Sequence, residues 1–371
     1  MRIDFYMGPE FLRTKQKTNP FFDPIIKVCE ENGIEWRVLF PGKPKECGYP
    51  ANKIGSFGIW QSGSVWFWRI VHLFWRVPIW RINHFYGRIL GCMGVLKSDF
   101  AITIAGWATT ELEGANPTAR IVDVQHGVIY SRHGGYFDRQ RRLYQRHQLL
   151  KTREFWLYGS GYADCFFKHP DNVKDLNGRV KIIGDVLMHK RQQRTPQDVL
   201  VVSGQFKTDC SRQCLLDQVS ALRKFLLDVQ LSFDGRYTVL VKHHPRFKGI
   251  PELDALYREF PFFSETRESW DELYVIMKVH VTFSSTVVFD AASNGILSLL
   301  LSPPNDDPVL ENSFWRDDYH YPYYGSNLME VLTLSEKPAI ADEIQNWFKC
   351  FYAPFDKKRC LNLLMEKGVT K

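Results

Sequence analysis

The sequence predicts two consecutive α/β domains, each a Rossmann-like, doubly wound sheet, facing a central cleft. Three observations carry this expectation. The chain has 371 residues, beyond the roughly 250–300 at which a single core stops growing. Short apolar runs alternate with amphipathic helical ones from the first residues onward, the rhythm of a parallel sheet covered by helices. That rhythm halts in a polar, proline-ended passage from Gly184 to Pro196 and restarts at Val199.

The first domain, residues 1–184, opens with a strand at Ile3–Met7, a helix over Pro24–Asn32 closed by Gly33, and a strand at Trp36–Phe40. No G-x-G-x-x-G follows the first strand, so no dinucleotide cradle is expected there. An insert at about 57–90 carries Trp60, Trp66, Trp68, Trp75 and Trp80 interspersed with Arg69, Arg76, Arg81 and Arg88. Central arginines cost a spanning helix at least ~2.5 kcal/mol each, so an amphipathic segment in the membrane interface fits better. Strands follow at Phe100–Ile104 and Arg120–Gln125, then a basic helical stretch from Arg139 to Arg153, and closing strands at Phe155–Tyr158 and Val180–Ile183. A linker is expected over 185–196.

The second domain, residues 197–340, reads as a strand at Val199–Ser203 with Gly204 after it, a helix over Arg212–Asp228 and a strand at Tyr237–Lys242. A helical fragment at Asp254–Glu259 and a strand at Val279–Phe283 come next. A helix at Val287–Ser293, capped by Asn294-Gly295, and a strand at Leu297–Leu301 complete it. Residues 341–371 are expected to be helices returning to the first domain.

Composition narrows the chemistry. An apolar fraction of 44% with 24% charged residues excludes disordered and fibrous classes. A net charge of +7 favours anionic partners such as phosphates, nucleotides or acidic lipid surfaces. The eight cysteines form no C-x-x-C pair, which points to reduced thiols rather than staples or a zinc site. The opening MRIDFYMGPEF reads as a strand and not as a signal peptide. Nucleic-acid binding is not expected, because the Arg139–Arg153 stretch is brief and has Tyr144 as its single aromatic. No metal is expected either: Asp306-Asp307 and Asp317-Asp318 read as surface turns, and adjacent loop acids do not by themselves form an oxygen cage.

Open α/β sheets bind ligands beyond the carboxyl ends of their strands, where four clusters lie. In VDVQHGVIYSRHGGY, Gln125, His126 and Gly127 end a strand, with His133 and Tyr136 shortly after; a histidine there can serve as a general base near neutral pH. VLVKHHPR concentrates Lys242, His243, His244, Pro245 and Arg246, donors suited to a phosphate. In VHVTFSSTVVFDAASNG, Ser284, Ser285 and Thr286 precede a helix whose free amides can bind phosphate without metal, and Asp290 follows one turn on, within reach of a ribose hydroxyl. In VLVVSGQF, Gly204 and Gln205 follow the first strand of the second domain, where glycine permits close backbone approach. Glu111 and Glu113, in what reads as a glycine-containing loop, are further candidate bases.

The ordered set Q-H-G, K-x-H-P-R and S-S-T-x-x-x-D, spread over Asp99 to Leu301, resembles bacterial surface-polysaccharide transferases of the GT-B fold, including capsule and lipopolysaccharide sialyl- or Kdo-transferases. It is also similar to the teichoic-acid glycerophosphate polymerases, although Val128-Ile129-Tyr130-Ser131 stand where those enzymes carry T-P-L-K. The resemblance implies a metal-independent enzyme without cofactor, taking a nucleotide-sugar donor, first a CMP-activated acidic sugar, and a glycan or lipid-linked glycan acceptor at the cytoplasmic face of the inner membrane. It assigns the first domain to the acceptor, with Gln125, His133 and Tyr136 on that side and His126, Glu113 or Glu111 as base. It assigns the second to the donor, with His244, Pro245 and Ser284–Thr286 at the nucleotide phosphate. A CDP-glycerol type of polyol-phosphate transfer and a non-catalytic glycan- or membrane-binding scaffold are the alternatives.

Overall fold

The computed structural model describes residues 2–40, 44–56, 70, 79–94, 96, 98–106, 109–131, 136–137, 153–187, 191–204, 206, 212–244, 250–301 and 313–366. The chain forms two compact units, Met1–Met188 with Tyr352–Lys371, and His189–Phe351.

The first unit is built on a seven-stranded, all-parallel sheet of order β3-β2-β1-β4-β5-β6-β7. Its strands are β1 (Arg2–Tyr6), β2 (Glu35–Phe40), β3 (Ile54–Ser56), β4 (Phe100–Ile104), β5 (Arg120–Val124), β6 (Arg153–Leu157) and β7 (Val180–Ile182). Its helices are α1 (Asp23–Glu31), α2 (Ile79–Cys92), α3 (Thr109–Ala115), α4 (Ser160–Phe167) and α5 (Pro170–Leu176). Pro24 starts α1 where its missing N–H costs nothing, and Gly33, at φ +66°, ends it as the Ile34 amide bonds back to the Cys29 carbonyl. The α2 and α3 helices pack backbone to backbone at three glycines. A Cβ on Gly87 would stand 2.1 Å from the Glu111 carbonyl, on Gly91 2.5 Å from that of Ala115, and on Gly114 2.1 Å from that of His84.

The first unit regains the chain at Tyr352. Residues 353–356 run beside β7: the Asp185 amide donates to Ala353 O at 2.6 Å and the Asp356 amide to Ile183 O at 3.0 Å. Gly184, at φ +89°, allows this approach, since a Cβ there would lie 2.2 Å from the Pro354 carbonyl oxygen. A final helix of this unit, Lys357–Met365, packs on α1. Buried Arg120 fixes it, with two 2.8 Å bonds to the Glu154 carboxylate and two to the helix-end carbonyls of Leu363 (2.6 Å) and Glu366 (3.1 Å). The basic stretch expected to run to Arg153 meets a correction at that residue. Arg153 opens β6 fully buried and is ion-paired to buried Asp123, and residues 139–152 lie outside the described set.

The second unit has a five-stranded parallel sheet, β10-β9-β8-β11-β12. Its strands are β8 (Val199–Gly204), β9 (Thr238–His243), β10 (Phe263–Glu265), β11 (Val279–Thr282) and β12 (Ser298–Leu300). The helices are α6 (Arg212–Phe233), α7 (Asp254–Glu259), α8 (Trp270–Ile276), α9 (Val287–Ser293), α10 (Ser313–Asp317), α11 (Leu328–Ser335) and α12 (Pro338–Phe351); with them, the helix Lys357–Met365 of the first unit is α13. All six residues of β8 are buried, the continuous apolar pattern of a strand covered on both faces. An aromatic box of Phe289, Trp315, Tyr319, Tyr321, Trp347 and Phe351 anchors α9, with Phe289 stacked on Trp347 at 5.1 Å. Gly295, at φ +69°, closes α9 as Ile296 N bonds to Ala291 O. Among the described residues no helix is long and apolar enough to cross a membrane.

Candidate functional site

In an open parallel sheet the chain leaves neighbouring strands in opposite directions at one point, and a crevice opens there beyond their carboxyl ends. In the first unit this point lies between β1 and β4, in the second between β8 and β11.

At the first switch point β4 is followed by Ala105 and Gly106, both at positive φ (56° and 66°). The left-handed region strains alanine. The turn is held by the Gly106 amide donating to Asp123 Oδ1 at 3.1 Å, while Asp123 also pairs with Arg153. The next strand delivers Gln125 and His126. Gln125 is buried and both ends of its amide bond backbone: Nε2 donates to Gly127 O at 2.7 Å and Oε1 accepts from the Tyr158 amide at 2.9 Å. It shapes the turn that presents His126.

His126 is half-buried, edge-on to Phe11 at 5.6 Å, and its Nδ1 is buried with no hydrogen-bond partner among the described residues. Burial lowers its pKa below the ordinary histidine value; the Asp123 carboxylate opposes that shift and the Arg13 guanidinium adds to it. The imidazole is therefore neutral at pH 7 and able to take a proton. Arg13 is exposed, in the loop after β1, with its guanidinium 5.3 Å from the centre of the Phe11 ring. Its place in a polar loop gave no sequence pattern to single it out.

Tyr136 is a correction. It is 5% exposed and packs among Phe137, Phe155 and Phe166, with its hydroxyl pKa raised by burial, so it belongs to the core. The two glutamates are also placed differently from expectation, on α3 rather than in a loop. Glu111, whose pKa burial raises, is electrostatically close to Tyr6 and Tyr86, while Glu113 is buried and close to Arg179. His133 lies outside the described residues.

At the second switch point β8 ends at Gly204, whose missing side chain leaves room for the His243 ring: a Cβ there would stand 3.0 Å from Nδ1. His243 meets the Tyr257 hydroxyl through Nε2 at 3.2 Å, and the His244 amide donates to Gly204 O at 3.1 Å. Of the cations expected to converge after β9, Lys242 and His243 meet different partners. Strand alternation sends Lys242 the other way, where its ammonium donates to the Glu268 carbonyl. Gln205, Pro245 and Arg246 lie outside the described residues.

Beyond β11, buried Ser285 accepts from the Val287 amide at 3.3 Å through its hydroxyl and donates its own amide to Thr282 Oγ1 at 3.1 Å. The amides of Val288 and Phe289 bond to the carbonyls of Ser285 and Thr286. The helix-start amides expected to meet a phosphate are thus engaged within the turn. What the turn offers outward is half-buried Ser284 and exposed Thr286. Asp290 is half-buried, within electrostatic reach of Tyr274.

Sequence comparison yields no matching family model and no match among curated proteins. Solved structures do match over nearly the whole chain. The lipopolysaccharide outer core galactosyltransferase WaaB aligns with TM-score 0.52 at 11% identity over 98% of this chain and 99% of its own. MurG of Acinetobacter baumannii gives 0.52 at 11%, over 99% of each chain. The glycotransferase of kitacinnamycin gives 0.50 at 12%, over 98% of each.

The fold is GT-B.

Two residues missed by sequence reading matter to the second switch point. His280, in the middle of β11, is completely buried and bridges Ser203 Oγ on β8 to Ser298 Oγ on β12, the latter at 2.8 Å from Nδ1. Burial lowers its pKa to about 3. The Tyr321 hydroxyl extends the chain, accepting from the Ser298 amide at 2.7 Å and donating to its carbonyl at 3.1 Å. This network ties together the strands on either side of the switch point; Ser203 directly precedes Gly204. Among the described residues no group of three or more His, Cys, Asp or Glu could hold a metal ion. Asp318, expected on a surface turn, is 5% exposed, and Asp317 ends α10 paired with Arg316; Asp306 and Asp307 lie outside the described residues.

Proposed function

We propose that this protein is a metal-independent glycosyltransferase that moves a sugar from a nucleotide-activated donor to a hydroxyl of a surface-polysaccharide or lipopolysaccharide acceptor, working peripherally at the cytoplasmic face of the membrane. The observation that carries the proposal is that, at one switch point of a GT-B fold, Gly204 ends β8 while half-buried Ser284 and exposed Thr286 follow the end of neighbouring β11. A bare backbone beside a hydroxyl pair suits a nucleotide phosphate. His244, next to Gly204, adds a third donor there.

The neutral imidazole of His126 supports the acid–base half. It takes the acceptor hydroxyl proton as the oxygen bonds to the anomeric carbon; the bond from that carbon to the donor phosphate breaks, and the nucleotide leaves with its electron pair. Ser284, Thr286 and His244 donate to the departing phosphate. Glu111, held with a raised pKa, is the second candidate for the base. The WaaB galactosyltransferase and the kitacinnamycin glycotransferase, with which the fold is shared, carry names of sugar-transfer enzymes, which supports the reaction class. The motif order and the net charge of +7 favour a CMP-activated acidic sugar as the first donor to test.

The test is thermal unfolding with CMP, CDP, UDP and GDP side by side. A nucleotide present at about a hundred times its Kd adds about 2.7 kcal/mol to stability. Protection by one nucleotide above the others, reduced in Ser284→Ala/Thr286→Ala, is the expected result. Equal and negligible shifts with all four would remove the proposal.

A further inference from the structure

The α2 helix has two faces of different character. Ile82, Tyr86 and Leu90 are buried, and Gly87 and Gly91 bring the helix into backbone contact with α3. On the other side Arg81, Phe85, Arg88, Ile89 and Met93 recur at helical spacing and are all exposed, with Phe85 at 53% and Met93 at 52%. Scattered single apolar side chains are ordinary on a surface, but an aligned row at i, i+4 and i+8 flanked on one side by two arginines is an amphipathic stripe.

The stretch of sequence that contains this stripe carries charge of one sign. No Asp or Glu occurs between Glu46 and Asp99, while Lys53, Arg69, Arg76, Arg81, Arg88 and Lys97 all fall in that interval. Fifty-two consecutive residues without a carboxylate, with six cations among them, favour an extended anionic surface. An aromatic and aliphatic row backed by arginines matches the headgroup boundary of a bilayer, where acyl chains receive Phe85, Ile89 and Met93 and lipid phosphates meet Arg81 and Arg88. The close α2–α3 packing makes the stripe a fixed part of the first unit.

We infer that the exposed face of α2 is a docking surface for a bilayer containing anionic phospholipid, with Phe85, Ile89 and Met93 as the inserted row and Arg81 and Arg88 as the phosphate contacts. The inference gives a specific face to the peripheral placement proposed above and rests on that part of it; the sugar-transfer chemistry is separate from it.

The experiment is co-sedimentation of the full chain with extruded vesicles of phosphatidylcholine alone and of phosphatidylcholine with phosphatidylglycerol. The parent binds the mixed vesicles at least about tenfold more tightly than the neutral ones, and added salt weakens that binding. Arg81→Glu/Arg88→Glu and Phe85→Ser/Ile89→Ser each lower binding to the mixed vesicles by about tenfold or more. Both pairs are exposed, so thermal unfolding and nucleotide protection stay at parental values, which tells a failure of docking from a failure of the sugar-transfer reading. Parental binding by both variants, or no preference for the anionic vesicles, overturns the inference. So does a concentration-dependent dimer in sedimentation velocity that Phe85→Ser/Ile89→Ser abolishes while vesicle binding is absent, since the stripe is then the contact of a second copy.

Discussion

His280 makes the second unit pH-sensitive in a defined direction. The ring is fully buried between two serine hydroxyls, and its pKa is lowered to about 3 by burial. In the unfolded chain the same group titrates near ~6.5. Between those values the unfolded state binds a proton that the folded state refuses, so stability is complete above the unfolded pKa and falls as pH drops toward the folded one. The slope is about 1.4 kcal/mol per pH unit, which amounts to about 3 kcal/mol lost between about pH 7 and about pH 4. That is a large part of the roughly 5–15 kcal/mol stability of a domain. His280→Gln keeps a side chain able to bond both hydroxyls but removes the titration. Hydrogen exchange of the β11 amides, corrected for the intrinsic rate at each pH, reports opening of this unit in the full chain. The parent should lose protection relative to His280→Gln by about 3 kcal/mol over that interval. A difference between the two proteins that stays constant with pH would refute the reasoning.

Other perturbations follow from the same coordinates. Arg120→Ala strips the partner from buried Glu154 and releases the α13 carbonyls, and should cost about 3–5 kcal/mol in urea denaturation, whereas a loss below about 1 kcal/mol would contradict the pairing. Gly184→Ala forces an L side chain to φ +89° against the Pro354 carbonyl, and should lower the stability measured by urea denaturation by at least the about 1–3 kcal/mol of backbone strain alone. Ser285→Ala, which removes a turn hydroxyl from the start of α9, should cost about 1 kcal/mol of stability. If His126 is the base, the acid limb of the transfer rate lies below the ordinary histidine value, because the depressed pKa keeps the ring neutral until lower pH; a limb above that value would exclude it.

The central strands of both sheets were legible because parallel strands buried on two faces read as apolar runs, Phe100–Ile104 and Val199–Ser203 among them, whereas the three-residue edge strands β3 and β10 are too short to give a pattern and were missed. The Gly33 and Gly295 helix ends were legible for a local reason, a left-handed residue that closes a helix on its own carbonyls. What stayed hidden depends on partners distant in sequence. Gly114 reads as a loop glycine, yet its role is to admit the His84 carbonyl, and α3 therefore continues through Glu111 and Glu113. Arg153 ends a basic run in sequence but is neutralised by Asp123 on the neighbouring strand. The density of cations from Lys242 to Arg246 promised a phosphate cradle, and strand alternation sends Lys242 to Glu268 and His243 to Tyr257. Arg13 and His280 lacked any motif, since one acts through a loop that reaches His126 and the other through a hydroxyl ladder across three strands.

Incubation of the purified protein with a panel of nucleotide sugars, followed by mass spectrometry of the released nucleotide, tests the central claim most directly. The account predicts release from one donor class, CMP-activated acidic sugars first, undiminished by a chelator and lost in both His126→Ala and Ser284→Ala/Thr286→Ala. Release that requires added divalent metal, or that proceeds at the parental rate in both variants, would contradict it.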